Sequence, residues 1–173
     1  MKDQIFKLTD LMINYYTGDA KRIQHFLKVH SFCKLIAYTE DVSEDMLMVL
    51  EAAAIVHDCG IKAAEKLYGK SSGKCQEELG PSIAEKMLLE LNFSKESIER
   101  ICFLVGHHHT YKAIDGLDFQ ILAEADMLVN VLEDELGEKG AVALEKNLFK
   151  TTSGKKLLNT MYLKPIDYSN IHS

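Results

Sequence analysis

At 173 residues, with 47% hydrophobic and 27% charged residues, the chain is long enough for one domain with its own hydrophobic core. A net charge of -6 excludes broad binding to nucleic acid or anionic membrane, which needs concentrated Lys and Arg. It does not exclude a small phosphorylated substrate drawn to a local cation.

The hydrophobic periodicity is helical throughout, so an all-α domain spanning 1–173 is expected. A first amphipathic helix, about residues 3–17, carries Ile5, Leu8, Leu11, Met12 and Tyr15 and stops at Gly18. Asp19 can cap a second helix reaching about Thr39. Ser43, followed by Glu44 and Asp45, starts a third that is almost entirely apolar from Met46 to Val56, which makes it the central buried helix. It ends at His57-Asp58-Cys59, with Gly60 suited to a left-handed C-terminal cap.

Residues 62–79 read as the least regular part, a short helical piece followed by a loop rich in Gly, Ser and Lys. Gly80-Pro81 then opens a helix to about Leu91, with Ile83, Ala84, Met87 and Leu88 inward. Ser94 caps the helix that ends in His107-His108-His109, and a loop with Asp115-Gly116 leads to a helix over about 118–134. A C-terminal helical extension, about 138–163, is expected to break near Thr152-Ser153-Gly154, and the tail from Lys164 onward reads as irregular.

The polar residues that interrupt the apolar faces carry the chemistry. His25 shares a face with Val29, Phe32 and Ile36, while Asp126 falls between Leu122 and Val129, on the face that also carries Phe119 and Leu132. The stripe Ile98, Ile101, Cys102, Val105 runs on to His108 and His109, and His57-Asp58 closes the most apolar helix. An unpartnered buried carboxylate costs several kcal/mol or becomes protonated. Two carboxylates and several imidazoles are therefore hard to bury separately and easy to bury together around a divalent cation. Each residue alone has a plainer role: a lone His is more often a hydrogen-bonded core residue, and a His-Asp dipeptide arises readily by chance.

Taken in order, His25, then Glu51-Ala-Ala-Ala-Ile-Val-His57-Asp58-Cys-Gly60, then Gly106-His-His-His-Thr-Tyr111, then Ala123-Glu-Ala-Asp126 resemble the HD-domain superfamily. These are helical metal-dependent phosphohydrolases, here of the small single-domain kind. The resemblance covers about residues 19–135 and implies a single-domain orthogonal helical bundle. It implies His25, His57, Asp58 and Asp126 as primary metal ligands, with Asp58 bridging to a second ion in binuclear members. His108 and His109 are the second-site candidates, whereas His107 lies off the stripe and reads as peripheral. Binuclear members commonly carry a His where this chain has Gln76, so the second site depends on whether Gln76, Glu77 or Glu78 offers an oxygen instead. The divalent ion would be Fe, Mn, Mg, Co or Ni.

The function implied is hydrolysis of a phosphate ester or anhydride in a small nucleotide-like substrate by a metal-activated hydroxide. The Lys-rich run Lys62, Lys66, Lys70 and Lys74 reads either as a solvated loop or as a basic lid over the substrate. Lys62, nearest the ligand pair, is then a catalytic and substrate-binding candidate, joined in substrate binding by Arg22, Gln76 and Glu77. His30, one residue off the face of His25, reads as structural or rim, and His172 as part of the polar tail.

A GYP-type segment after the histidines is replaced by Lys112-Ala-Ile-Asp-Gly116, which argues against cyclic dinucleotides. Two alternatives remain open: an HD-fold di-iron oxygenase, told apart by iron and oxygen consumption, and a non-catalytic metal or ligand sensor, told apart by binding without turnover. The four cysteines form no CxxC pair, the N-terminus lacks an apolar export segment, and no stretch approaches about 20 apolar residues. A cytoplasmic protein with reduced thiols is expected, and an amphipathic terminal helix leaves room for a homodimer.

Overall fold

A computed structural model describes residues 2–164, and every regular element among them is helical. In chain order these are α1 (Lys2–Tyr15), α2 (Ala20–Thr39), α3 (Glu44–Val56), α4 (Gly60–Tyr68), α5 (Gly73–Glu90), α6 (Lys95–Val105), a 3-10 turn (Tyr111–Ala113), α7 (Leu117–Glu133), α8 (Gly137–Asn147), α9 (Thr152–Leu158) and a terminal π-type turn (Asn159–Leu163). The tail from 165 to 173, including His172, lies outside the described residues.

Helix α3 is the axis of the molecule, and α1, α2, α6 and α7 all pack against it. Its Ala52, Ala53 and Ala54 are fully buried, and such small side chains let neighbouring helices approach closely around it. Leu50, Ile55 and Val56 complete its buried surface, in one cluster with Ile36 of α2, Ile101 and Leu104 of α6, and Phe119 and Leu122 of α7. The buried cluster runs without a break from Leu8 and Met12 on α1 to Phe149 and Leu158 near the C-terminal end. Leu132, expected on the inner face of α7, is instead 68% exposed, because that face has turned to solvent by the last turn of the helix.

The expected caps are present where a side chain can reach an unpaired N–H. Asp19 accepts from the backbone of Arg22, Ser43 from Met46 and Ser94 from Ser97. Five further local expectations differ. Gly60 takes no left-handed conformation and opens α4 directly. A Cβ there would lie 2.5 Å from the Gln76 carbonyl oxygen, so glycine at 60 serves the close crossing of α4 over α5. Pro81 does not start a helix but lies inside α5, where packing against α4 and α6 outweighs the backbone hydrogen bond it deletes.

Residues 62–79 are mostly helical, leaving 69–72 as the connection. The Lys-rich lid therefore dissolves: Lys62 and Lys66 are on α4, Lys74 is on α5, and Lys70 alone is in the loop. Helix α6 ends at Val105, so the three histidines occupy the turn beyond it. The C-terminal break falls at 148–151, where Thr151 caps α9 through the backbone of Gly154.

Candidate metal centre

Four elements converge on one end of α3. His25 projects from the second turn of α2, His57 and Asp58 from the turn between α3 and α4, Asp126 from α7, and His108 from the turn after α6. The His57-Asp58 turn is held from outside by the end of α1 and the residue after it: Tyr16 Oη donates to the Asp58 carbonyl at 2.6 Å and Tyr15 Oη to that of Cys59 at 3.1 Å.

The side-chain atoms meet tip to tip. His25 Nε2 lies 3.2 Å from Asp126 Oδ1, 3.3 Å from His57 Nε2 and 3.6 Å from Asp58 Oδ2. His57 Nε2 lies 3.5 Å from Asp58 Oδ2 and 3.7 Å from Asp126 Oδ1. The other oxygen of Asp58, Oδ1, is 3.4 Å from His108 Nε2. Separations of this size are close to the edges of a coordination shell with bonds of about 2.0–2.2 Å.

Hydrogen bonding on the far side of each ring decides what those tips can do. His57 Nδ1 donates to the Ala54 carbonyl at 2.9 Å, His108 Nδ1 to that of Val105 at 2.8 Å, and His25 Nδ1 to Glu133 Oε2 at 3.0 Å. In the neutral form each ring therefore presents a free Nε2 lone pair to the centre. Among the described residues, His108 Nε2 is the buried side-chain nitrogen or oxygen with no hydrogen-bond partner, and an orphan of this kind is aimed at something.

The charge balance leads to the same place. Burial would raise the Asp58 carboxyl, yet the electrostatic pull of His57, His108 and His25 holds it below the usual range. Burial likewise opposes ionisation of Asp126, and the hydrogen bond from His25 with the charge of His57 overcomes it. Burial pushes the His25 imidazole down, but Asp126, Asp58 and Glu133 together outweigh it and lift it to about 9. Two ionised carboxylates in one buried cluster require a cation. Without a metal, a proton on His25 serves; a divalent ion fits the same atoms and would also satisfy His108.

Two potential ligand groups share Asp58: His25 and His57 on one side, His108 and His109 on the other. The second group is altered by Gln76, which is buried beside it. Gln76 Nε2 donates to the Ser71 carbonyl at 2.8 Å, which turns its Oε1 toward His109 Nε2 at 3.1 Å. Glu77 is directed elsewhere, accepting from the His109 backbone at 3.0 Å and Thr110 Oγ1 at 2.9 Å, so it braces the histidine turn and does not line the cleft. Glu78 accepts from Tyr68 Oη at 3.2 Å.

The centre opens into a cleft of about 440 Å³, lined also by Lys21, Arg22, Ser71, Gln76 and Asn130. Arg22 reaches it while paired with Asp19 at 2.8 Å and Glu65 at 2.5 Å. Lys62 does not: its ammonium donates to the Tyr15 carbonyl at 2.8 Å and lies 5.1 Å from the centre of the Tyr15 ring. A groove of about 510 Å³ between the starts of α3 and α6 is walled by Met46, Met48 and Val49 and carries no histidine. His30 bonds Glu51 at 2.9 Å away from the centre, and His107 stacks on Phe103 with ring centres 4.4 Å apart.

Residues that the sequence pattern did not single out surround the ligand set. Asn130 Nδ2 donates to Asp126 Oδ1 at 2.9 Å, and Glu133 joins His25 to Lys28. Their signal is the spacing on α7, four and seven residues beyond Asp126, which places all three on one stripe.

Among solved structures, the chain is similar to a predicted HD superfamily hydrolase from an uncultured Thermotogales bacterium, with a TM-score of 0.62 and 21% identity over 92% of this chain and 83% of that one. The chain shares the fold of that protein. YpgQ of Bacillus subtilis shares it, with a TM-score of 0.60 and 17% identity over 91% of this chain and 87% of that one. No protein-family model matches the sequence. No curated protein matches it significantly. Among the described residues, no helix is long and apolar enough to cross a membrane, and all four cysteines are free.

Proposed function

We propose that the chain is a divalent-metal-dependent phosphohydrolase acting on a phosphate ester or anhydride of a small, nucleotide-like substrate. The observation that carries this is Asp58, whose two oxygens face two different sets of imidazoles, with Asp126 completing one of them. His25, His57, Asp58 and Asp126 would hold a first ion, and Asp58, His108 and His109 a second where Gln76 yields His109 to it. Such an ion supplies Lewis acidity and lowers the pKa of water toward neutrality.

The rest of the work falls to the chain. Asp58 and Asp126 stay ionised, so the cluster keeps the negative charge that attracts a cation. The buried imidazoles and the turn pinned by Tyr15 and Tyr16 fix the donors in advance, which lowers the reorganisation needed at reaction. Lys21 and Arg22 at the cleft supply positive charge for phosphate oxygens, with Arg22 held in place by Asp19 and Glu65 until a substrate competes for it. Lys62 is left out of this role because its ammonium is spent on Tyr15. The free thiols suit a reducing, neutral compartment, and we place the activity in the cytoplasm.

The test is a screen of phosphate substrates against metal-stripped protein with Mn, Mg, Fe, Co or Ni added back. Phosphate release with at least one metal, lost in Asp58→Ala while helicity by circular dichroism is kept, is the expected result. Activity surviving in Asp58→Ala would overturn it. Iron-dependent oxygen consumption would instead identify a di-iron oxygenase, and tight ligand binding without turnover by any metal a sensor.

A further inference from the structure

The three rings that turn Nε2 toward the centre are not fixed in the same way. His57 and His108 lie just past the ends of α3 and α6, where the last carbonyls of a helix have no intrahelical partner. Each ring uses the carbonyl three residues back, Ala54 or Val105, to hold its Nδ1–H. His25 cannot do this, because it sits inside the 20-residue helix α2, where backbone carbonyls are engaged in the helix itself. Its Nδ1 is met by a side chain from another helix, Glu133, the last residue of α7.

A carboxylate at that position faces the negative end of its own helix, where cations are the favoured residues. It is held there by Lys28, one turn beyond His25 on α2, whose ammonium bonds Glu133 Oε1 while His25 takes Oε2. The Glu133 side chain is only 13% exposed, so this grip is partly shielded from solvent. The result is a chain Lys28–Glu133–His25–centre that ties α2 to α7 beside the ligand atoms.

We infer that Glu133 is a positioning residue for the metal centre: it fixes the orientation of the His25 ring and its Nδ1–H form, with Lys28 holding the carboxylate in place. This rests on the reading of the centre as a metal site. Its consequence is that the Nε2 edge of His25 is aimed at the ligand position before an ion arrives and displaces its proton, which raises affinity without contact between Glu133 and the ion.

The test pairs a proton signal with metal affinity. In metal-free protein, nitrogen-resolved NMR should show a His25 Nδ1–H proton shifted downfield and protected from exchange. Glu133→Ala should lose that protection and weaken Mn²⁺ binding by about 10–100-fold, the usual cost of removing an outer partner of a ligating histidine. Glu133→Gln should keep both, since its amide oxygen can accept from Nδ1 while Lys28 swings to solvent. Unchanged affinity and proton signal in Glu133→Ala would overturn the inference. So would equal weakening in Ala and Gln variants, which would mean that charge alone matters. If Glu133→Ala fails to fold, the wild-type proton and the Gln variant still decide, and an unprotected Nδ1 in wild type would refute the idea. Wild-type protein that binds no Mn²⁺ would fail the metal reading itself, and the proton signal would still show whether Glu133 orients the ring.

Discussion

Two of the buried carboxylates on helix α7 lie two residues apart and are treated in opposite ways. Glu124, fully buried, is closed off by donors: Gln120 Nε2 at 2.7 Å, the backbone N–H of Lys150 at 2.5 Å and of Thr151 at 2.9 Å, and the Thr151 hydroxyl. Asp126, equally hidden, receives one amide hydrogen bond from Asn130 and otherwise faces two imidazoles and a second carboxylate. Glu124 is satisfied by the protein and locks α9 to α7. Asp126 is surrounded by groups that themselves want a cation. A buried charge closed by backbone N–H groups belongs to the fold, and one met by other metal-ligating atoms belongs to a site.

That contrast breaks most sharply by mutation. Asp126→Asn should cost more than the ~100-fold in metal affinity expected of an outer-shell change, with little loss of thermal stability, because repulsion with Asp58 is relieved. Glu124→Ala should do the reverse. It strands the backbone N–H groups of Lys150 and Thr151 and should lower unfolding free energy by about 3 kcal/mol, with metal bound per folded chain unchanged. Denaturant melts and competitive metal titration on both variants would check this, and matching profiles for the two would dissolve the distinction.

The pH dependence sharpens it further. In metal-free protein His25 titrates near 9, above its ordinary 6.5, so its stabilising contribution is complete below pH 6.5 and is lost as pH rises through about 9. The loss should amount to at most about 3 kcal/mol and should disappear at saturating metal, where the ion replaces the proton. A smaller effect is expected at the hydrogen bond to Asp126: Asn130→Ala should weaken metal binding by about tenfold, leaving stability nearly unchanged.

Much of this centre was visible in the sequence because a polar residue on an apolar stripe is conspicuous. His25 and Asp126 interrupt apolar faces of helices legible by period alone, and His108 follows such a stripe into the turn after α6. Gly60 and Pro81 misled because their local preferences, a left-handed cap and a helix start, were overruled by contacts with α5 and α6 that no local pattern encodes. The start of α5 is hidden behind Lys, Ser and Gly, which look like loop until Gly80 is seen packed, whereas α4 is the short helical piece expected there. Glu133, Lys28 and Asn130 escaped for a different reason. A charged or amide side chain near a helix end is ordinary on any surface, and only the position of His25 and Asp126 across the cleft gives these a task.

The most direct measurement is the metal content of wild-type protein and Asp58→Ala after loading with Mn, Fe, Co, Ni or Mg and removal of free ion. The cluster described here predicts about one to two tightly held ions per wild-type chain and none in the variant, with helicity equal in both. A folded wild-type chain that retains none of these ions, or an Asp58→Ala variant that retains as much as wild type, would contradict it.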